Sequence, residues 1–132
     1  MYMLDTNICI YLVNQKQLSL AQKIVSIPIE NICISVITQA ELEYGIAKSK
    51  NIAKNAQALV KFLSTISVLN FDTRASEVYG EIRADLELKG CIIGPMDMLI
   101  AAHAKSKNFV LVTNNVHEFY FVDGLQIENW VD

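Results

Sequence analysis

Four acidic residues stand where a short apolar run gives way to a polar turn or a stretch with helical spacing. They are Asp5, Glu41, Asp97 and Glu118. Carboxylates that meet in space without a cation repel one another and raise each other's pKa values. Mg²⁺ and Mn²⁺ prefer such oxygen ligands, and either ion can activate water and offset charge on a phosphate group. The four acids therefore predict a divalent-metal site suited to phosphodiester chemistry.

Several uncharged polar residues stand close to these acids in the chain. Their hydroxyl and amide groups are candidates for orienting the metal ligands or a bound phosphate. These auxiliary candidates are Thr6, Asn7, Ser35, Thr113 and Asn115.

Each acid also has an ordinary structural interpretation. Thr38-x-x-Glu41 has the pattern of a capping box, in which Glu41 only closes the first turn of a helix. Asp97 fits the first turn of a helix, where the helix dipole favours an acid. Asp5 fits a turn and Glu118 a solvated loop. The positions of all four at successive strand ends favour a common site over four separate roles.

The two histidines do not extend this site. His103 stands in an alanine-rich helical stretch six residues after Asp97, so the two side chains do not share a helix face. We interpret His103 as a structural residue, packed or half-exposed, and give no functional weight to His117.

The spacing of apolar residues predicts a sheet that positions the acids. Apolar strands are predicted at residues 2–4, 32–36, 67–69, 109–112 and 125–128, and helices at 8–13, 38–48, 51–65, 73–89 and 97–107. Apolar strands separated by helices are typical of a parallel α/β sheet covered on both faces. Ligands of such sheets bind at the carboxyl ends of the strands, where the four acids are expected.

Length and composition predict one globular domain over residues 1–132. The hydrophobic fraction is 52% and the charged fraction 19%, which suits a packed core. No apolar run approaches membrane-spanning length, and the N-terminus lacks the basic region of a signal peptide. Three widely spaced cysteines favour free thiols in the cytoplasm.

The net charge of −3 argues against non-specific binding of nucleic acid. A nuclease built on carboxylates is a special case, because bound metal neutralises its acids. Without the four acids the rest of the chain is slightly basic, which leaves room for a local phosphate-binding track.

Four segments resemble the motif blocks of VapC toxins, which are PIN-domain ribonucleases. They are MLDTNICIYL, ISVITQAELEYG, IGPMDMLIAAHAKS and LVTNNVHEF, in the order of the family and over nearly the whole chain. The resemblance implies a three-layer α/β/α sandwich with a central parallel sheet. It also implies Mg²⁺- or Mn²⁺-dependent cleavage of RNA that leaves a 5′-phosphate and a 3′-hydroxyl.

The resemblance also assigns the site residues one by one. Asp5 matches the acid of the first block, Glu41 that of AEL, and Asp97 that of D-x-x-I-A-A. For the fourth acid two alternatives remain. Many PIN domains have an acid where this chain has Asn115. In the subgroup with TNN-x-x-E-F, which this chain resembles, the fourth acid is the Glu of that motif, here Glu118.

Further expectations follow from the same resemblance. They are a homodimer in the bacterial cytoplasm and a VapB-type antitoxin whose C-terminal tail blocks the active site. The pattern also resembles that of members that cut initiator tRNA in the anticodon loop, which implies the same substrate and inhibition of translation here. Met96 stands where many relatives have Asn, a departure that concerns one neighbouring hydrogen bond rather than metal binding.

Two other classes of function remain open at this point. A signalling receiver domain would need a Lys after its last long strand, where this chain has Thr113-Asn114-Asn115. Phosphorylation by a small phosphodonor would support that alternative. A binding module that has lost catalysis would keep the fold but show no metal-dependent cleavage of RNA.

Overall fold

Five parallel strands form the central sheet of the computed structural model, which describes residues 1–131. The strands are β1 (Tyr2–Leu4), β2 (Ile32–Ser35), β3 (Ser67–Leu69), β4 (Val110–Val112) and β5 (Gln126–Glu128). Their order is β3-β2-β1-β4-β5, and every neighbouring pair is parallel. This confirms the predicted parallel sheet, and it differs from the 2-1-3-4-5 order of receiver domains.

Within the described residues, seven helices surround the sheet. They are α1 (Thr6–Asn14), α2 (Leu18–Val25), α3 (Val36–Ala47), α4 (Ile52–Leu63), α5 (Thr73–Lys89), α6 (Pro95–Ser106) and α7 (Val116–Phe119), with a short 3-10 helix at Ile29–Asn31. The sequence did not predict α2, in which only Leu20 is fully buried, or α7, which is a single turn. Within residues 1–131, no helix has the length and apolar character needed to cross a membrane.

Two apolar cores lie on opposite faces of the sheet, because successive strand residues point to opposite sides. Met3 packs with α5, α6 and α7, whereas its neighbour Leu4 packs with α1 to α4. Leu111 and Val112 divide between the same two cores. The predicted three-layer α/β/α sandwich is therefore confirmed, and its central strands are held from both sides.

The predicted capping box in α3 is wrong. The helix begins at Val36, and the Ser35 hydroxyl accepts the Ile37 amide at 3.0 Å. Serine is a strong cap residue, and here it ends β2, so the strand passes directly into the helix. Thr38 thus lies inside the first turn, and Glu41 lies in the second turn rather than the first. Closing the start of the helix cannot be the role of Glu41.

Two other helices also begin earlier than predicted. Helix α1 starts at Thr6, because the Asp5 carboxylate accepts the Thr6 amide at 2.7 Å and turns the predicted break into a helix start. Helix α6 starts at Pro95, a residue that favours the first turn. Asp97 remains in the first turn of α6, as predicted.

Helix α5 allows a paired test of its backbone conformation. Gly90 ends the helix with φ +70°, whereas a methyl group added at the interior Gly80 would meet nothing within 4 Å. We predict that Gly80→Ala raises the free energy of unfolding by about 0.5–1 kcal/mol, because alanine loses less backbone entropy. Gly90→Ala should lower it by about 1 kcal/mol, because alanine is strained at positive φ. Urea denaturation measures both free energies of unfolding. Changes of the same sign would contradict a helical backbone at Gly80 and a positive φ at Gly90.

Candidate active site

The carboxyl ends of the central strands bring the four acids together. Asp5 directly follows β1, and Glu41 lies on α3, which follows β2. Asp97 lies at the start of α6, and Glu118 lies on α7, which follows β4. The charges of the other three acids each raise the pKa of Asp97. The structure therefore places all four predicted acids within electrostatic reach of one another, next to the switch point between β1 and β4.

Asp5 is the most deeply buried of the four, with 3% of its surface exposed. Burial raises its pKa, and the charges of Glu41 and Glu118 raise it further. The Thr113 hydroxyl donates to Oδ2 at 2.8 Å and the Thr6 amide donates to Oδ1 at 2.7 Å, and both bonds lower the pKa. Burial prevails, so the pKa of Asp5 lies above its ordinary value.

Thr6 joins two of the acids. Its amide binds Asp5, and its hydroxyl donates to Glu41 Oε1 at 2.6 Å. This contact fixes the Glu41 carboxylate of α3 against the start of α1. Thr6 and Thr113, both auxiliary candidates, thus hold acids of the cluster in place.

The Asp97 and Glu118 carboxyl groups lie within hydrogen-bonding reach of each other, which favours a proton on one of the two. Burial, this contact and the neighbouring negative charges raise the pKa of Asp97 to about 8. The Gly94 amide donates to Glu118 Oε1 at 3.3 Å. A methyl group at Gly94 would lie 3.5 Å from Asp97 Oδ2, so the glycine keeps space open beside the pair.

Both alternatives for the fourth position lie at the site. Glu118 contacts Asp97 directly, and the Asn115 side-chain amide donates to Glu118 Oε2. The Asn115 backbone amide donates to the Thr113 hydroxyl at 3.0 Å. The Thr-Asn-Asn segment therefore links Asp5 to Glu118, with Asn115 supporting the acid rather than replacing it.

The remaining sequence candidates lie outside this hydrogen-bond network. Asn7 is exposed on α1, and Met96 is 45% exposed on α6. Ser35 is buried, and its hydrogen bonds go to Ile37 and His103 rather than to the acids. His103 is fully buried, which confirms its interpretation as a packed residue, but its contact with Ser35 had no signal in the sequence.

The chemistry of this donor set fits a hard divalent cation. Among residues 1–131, however, no group of three or more His, Cys, Asp or Glu side chains is arranged to hold a metal ion as they stand. Hydrogen bonds occupy the carboxylates, and the proton between Asp97 and Glu118 partly offsets the negative charge. Acidic oxygen ligands are those that Mg²⁺ and Mn²⁺ prefer, so a cation would replace that proton rather than add to it.

An apolar groove opens next to the cluster. It lies between α1, α3 and α4 and encloses about 450 Å³. Ile10, Leu42 and Leu59 belong to its walls, and Glu41 and Lys54 also line it. Glu41 thus belongs to both the groove and the acid cluster, so the two form one continuous surface.

The sequence is similar to the PIN domain over residues 2–125. It is 45% identical to Ribonuclease VapC2 of Rickettsia felis over 98% of this chain and 97% of that protein. It is 41% identical to the tRNA(fMet)-specific endonuclease VapC of Shigella flexneri, again over 98% of this chain and 97% of that protein.

The fold is similar to that of solved toxin–antitoxin complexes. The structure of VapBC2 from Rickettsia felis bound to a DNA fragment from their promoter gives a TM-score of 0.92 at 44% identity, covering 98% of both chains. DNA-bound VapBC from Salmonella typhimurium gives 0.93 at 41% identity, covering 98% of this chain and 97% of that one.

The raised pKa of Asp97 predicts how stability depends on pH in metal-free buffer. The folded state binds this proton more tightly than an ordinary Asp with a pKa of 3.8 does. Its stabilising contribution is therefore complete below about pH 4 and is lost as pH rises through about 8. Asp97→Asn should raise the Tm only slightly near pH 5 and considerably more near pH 9. Thermal melts in EDTA measure this.

Asp72 supplies a control of opposite sign. The Ala75 amide, and then Lys107, lower the pKa of Asp72, so its contribution is present at neutral pH and is lost in acid. Asp72→Asn should lower the Tm slightly at neutral pH and less in acid, because Asn still caps the helix. An Asp97→Asn shift that is equal near pH 5 and pH 9 would contradict the raised pKa.

Proposed function

Because the chain belongs to the VapC ribonucleases of the PIN-domain family, we propose that its four acids form an RNA-cleaving active site with Mg²⁺ or Mn²⁺. One observation carries this proposal. Four carboxylates from distant parts of the chain converge at the switch point of the sheet, where burial, the contact with Glu118 and the repulsion of the other acids raise the pKa of Asp97 to about 8. A binding module without catalysis has no need of such an unfavourable cluster.

The four acids would have different roles in binding the cation. Asp5, Asp97 and Glu41 would bind it directly, and Glu118 would complete the cluster or a second metal site. When bound, the metal supplies activation of water and offsets charge on the phosphate. Thr6 maintains the orientation of the Asp5 and Glu41 carboxylates through its amide and hydroxyl.

We propose that the RNA is initiator tRNA, cut in the anticodon loop. The relative from Shigella flexneri at 41% identity is a tRNA(fMet)-specific endonuclease, and the motif blocks resemble that subgroup. The net charge of −3 favours recognition of one RNA over indiscriminate binding. Unpaired loop nucleotides can be splayed into a site. Such a cut in the bacterial cytoplasm would inhibit translation.

We propose a VapB-type antitoxin as the partner of this toxin, which would itself be a homodimer. The similar solved structures are VapBC complexes. An apolar helix of the partner would fill the groove beside Glu41, and its C-terminal tail would place Arg or Lys among the acids. Guanidinium–carboxylate pairing is strong and directional, and the groove leads to the cluster. A complex with the tail bound elsewhere would contradict this arrangement.

Glu41 gives the sharpest test of the catalytic cluster. Glu41→Gln keeps an oxygen that can accept the Thr6 hydroxyl, and its place in the second turn of α3 makes capping irrelevant. We predict that the variant folds normally but loses at least about tenfold in RNA cleavage, because a negative ligand is gone. Cleavage by the wild-type chain should require Mg²⁺ or Mn²⁺ and stop in EDTA.

Glu43→Gln is the matched control, because Glu43 is exposed two residues further along the same helix. It should cleave RNA like the wild-type chain. Thermal melts accompany both assays, so that activity is compared at equal folded fractions. Near-normal cleavage by well-folded Glu41→Gln, or full activity in chelator, would refute the metal site.

The choice of RNA is tested by sequencing 5′-phosphate ends after brief induction of the toxin in cells. We predict one dominant new end, in the anticodon loop of initiator tRNA. Asp97→Asn, induced to the same level, should produce none. New ends scattered over many mRNAs would show that the substrate assignment is wrong while leaving the ribonuclease activity in place.

A further inference from the structure

His103 connects the two helices that carry Asp97 and Glu41. It is fully buried in α6, six residues after Asp97, and its Nδ1 lies 2.7 Å from the Ser35 hydroxyl oxygen. Ser35 ends β2 and caps α3 through the Ile37 amide. Glu41 follows six residues later on α3. This buried contact therefore joins one acid-bearing helix to the start of another.

The direction of the hydrogen bond follows from the groups available. Ser35 Oγ already accepts the Ile37 amide, so its own proton needs an acceptor. Among residues 1–131, His103 Nε2 makes no hydrogen bond of full geometry, although the Asn70 backbone carbonyl lies close enough to the ring to favour an N–H facing it. Donation from Ser35 to Nδ1 leaves every proton but that on Nε2 with an acceptor, whereas the reverse leaves the serine proton without one. Ser35 is therefore the donor, and the neutral ring carries its proton on Nε2.

Packing alone does not explain a histidine here. The Phe71 ring packs edge-to-face with the imidazole, with 5.4 Å between the ring centroids. A leucine would fill similar space without burying an unpaired ring nitrogen, and unpaired buried polar groups are unfavourable. A leucine would lack the bond to Ser35 and the weaker polar contact with the Asn70 backbone, and only the first reaches the start of α3.

We propose that His103 is a positioning residue, which through Ser35 fixes the start of α3, and with it Glu41, relative to Asp97 on its own helix. A helix moves largely as a rigid rod, so a shift at its cap reaches a residue about 9 Å along its axis. This inference rests on the proposed function, because the acids that it aligns are those of the proposed active site.

Three substitutions of His103 separate positioning from packing. Asn places an amide atom near the position of Nδ1, Gln places one near Nε2, and Leu fills space only. We expect His103→Leu and His103→Gln to lower kcat for RNA by about tenfold or more with little change in KM, because small misplacements of catalytic groups are costly. His103→Asn should stay within about threefold of the wild-type kcat.

Two further measurements report position without relying on activity. The Ile37 amide should exchange hydrogen faster in His103→Leu than in His103→Asn, because the cap loosens. The Mn²⁺ concentration needed to raise the Tm should likewise be higher for His103→Leu than for His103→Asn. Ile100→Val is the matched control, since Ile100 is fully buried on the same helix but carries no polar group. In a Ser35→Ala background, the advantage of Asn over Leu should disappear.

The outcomes separate this inference from the function on which it rests. A folded His103→Leu that matches the wild-type chain in kcat and Mn²⁺ requirement would overturn the positioning role. A proton on Nδ1 in long-range ¹H–¹⁵N spectra of the wild-type chain would also overturn it, and needs no variant to fold. If the wild-type chain cleaves no RNA with either metal, the proposed function fails, while Ile37 exchange and the Mn²⁺ titration still decide the role of His103.

Discussion

Repulsion among four carboxylates is the constraint on which the site depends. Asp5 is almost fully buried, and the charges of the other three acids act on the pKa of Asp97. Backbone and hydroxyl donors offset only part of this unfavourable charge. The remainder is relieved by a proton between Asp97 and Glu118. Such a cluster persists only because the surrounding fold holds the acids where they would not otherwise stay.

The sheet and its two cores supply that support. The central strands β1 and β4 end beside the cluster, and each contributes side chains to both apolar cores. Such strands cannot shift without disturbing packing on both faces. Asp5 caps α1, whereas Glu41 and Asp97 lie on α3 and α6. Thr6 links α1 to α3, and His103 links α6 to the start of α3. The positions of the acids are thus fixed by strands and helices rather than by loops.

The sequence could predict the strands and the acids because both depend on local pattern. Apolar runs identify buried strands, and an acid after each run identifies the edge where ligands bind. The start of α3 was mispredicted because Ser35 and Thr38 are both good cap residues, and only the register with β2 selects the first. The contacts from Thr6 to Glu41 and from Ser35 to His103 span 35 and 68 residues. No local pattern encodes pairings of that separation. Whether one domain spans the whole chain stays a prediction.

The excess negative charge of the four acids connects the proton, the metal and the partner of the proposed function. Each supplies positive charge to the space that Gly94 leaves open beside Asp97 and Glu118. Because all three would bind the same carboxylates, occupation by one would disfavour the others. Under the proposed function, a proton would leave the acids idle, a divalent ion would make them a catalytic centre, and an arginine from an antitoxin would block them. Control of such an enzyme therefore needs no separate regulatory site, since inhibition and catalysis would compete for one set of oxygen atoms.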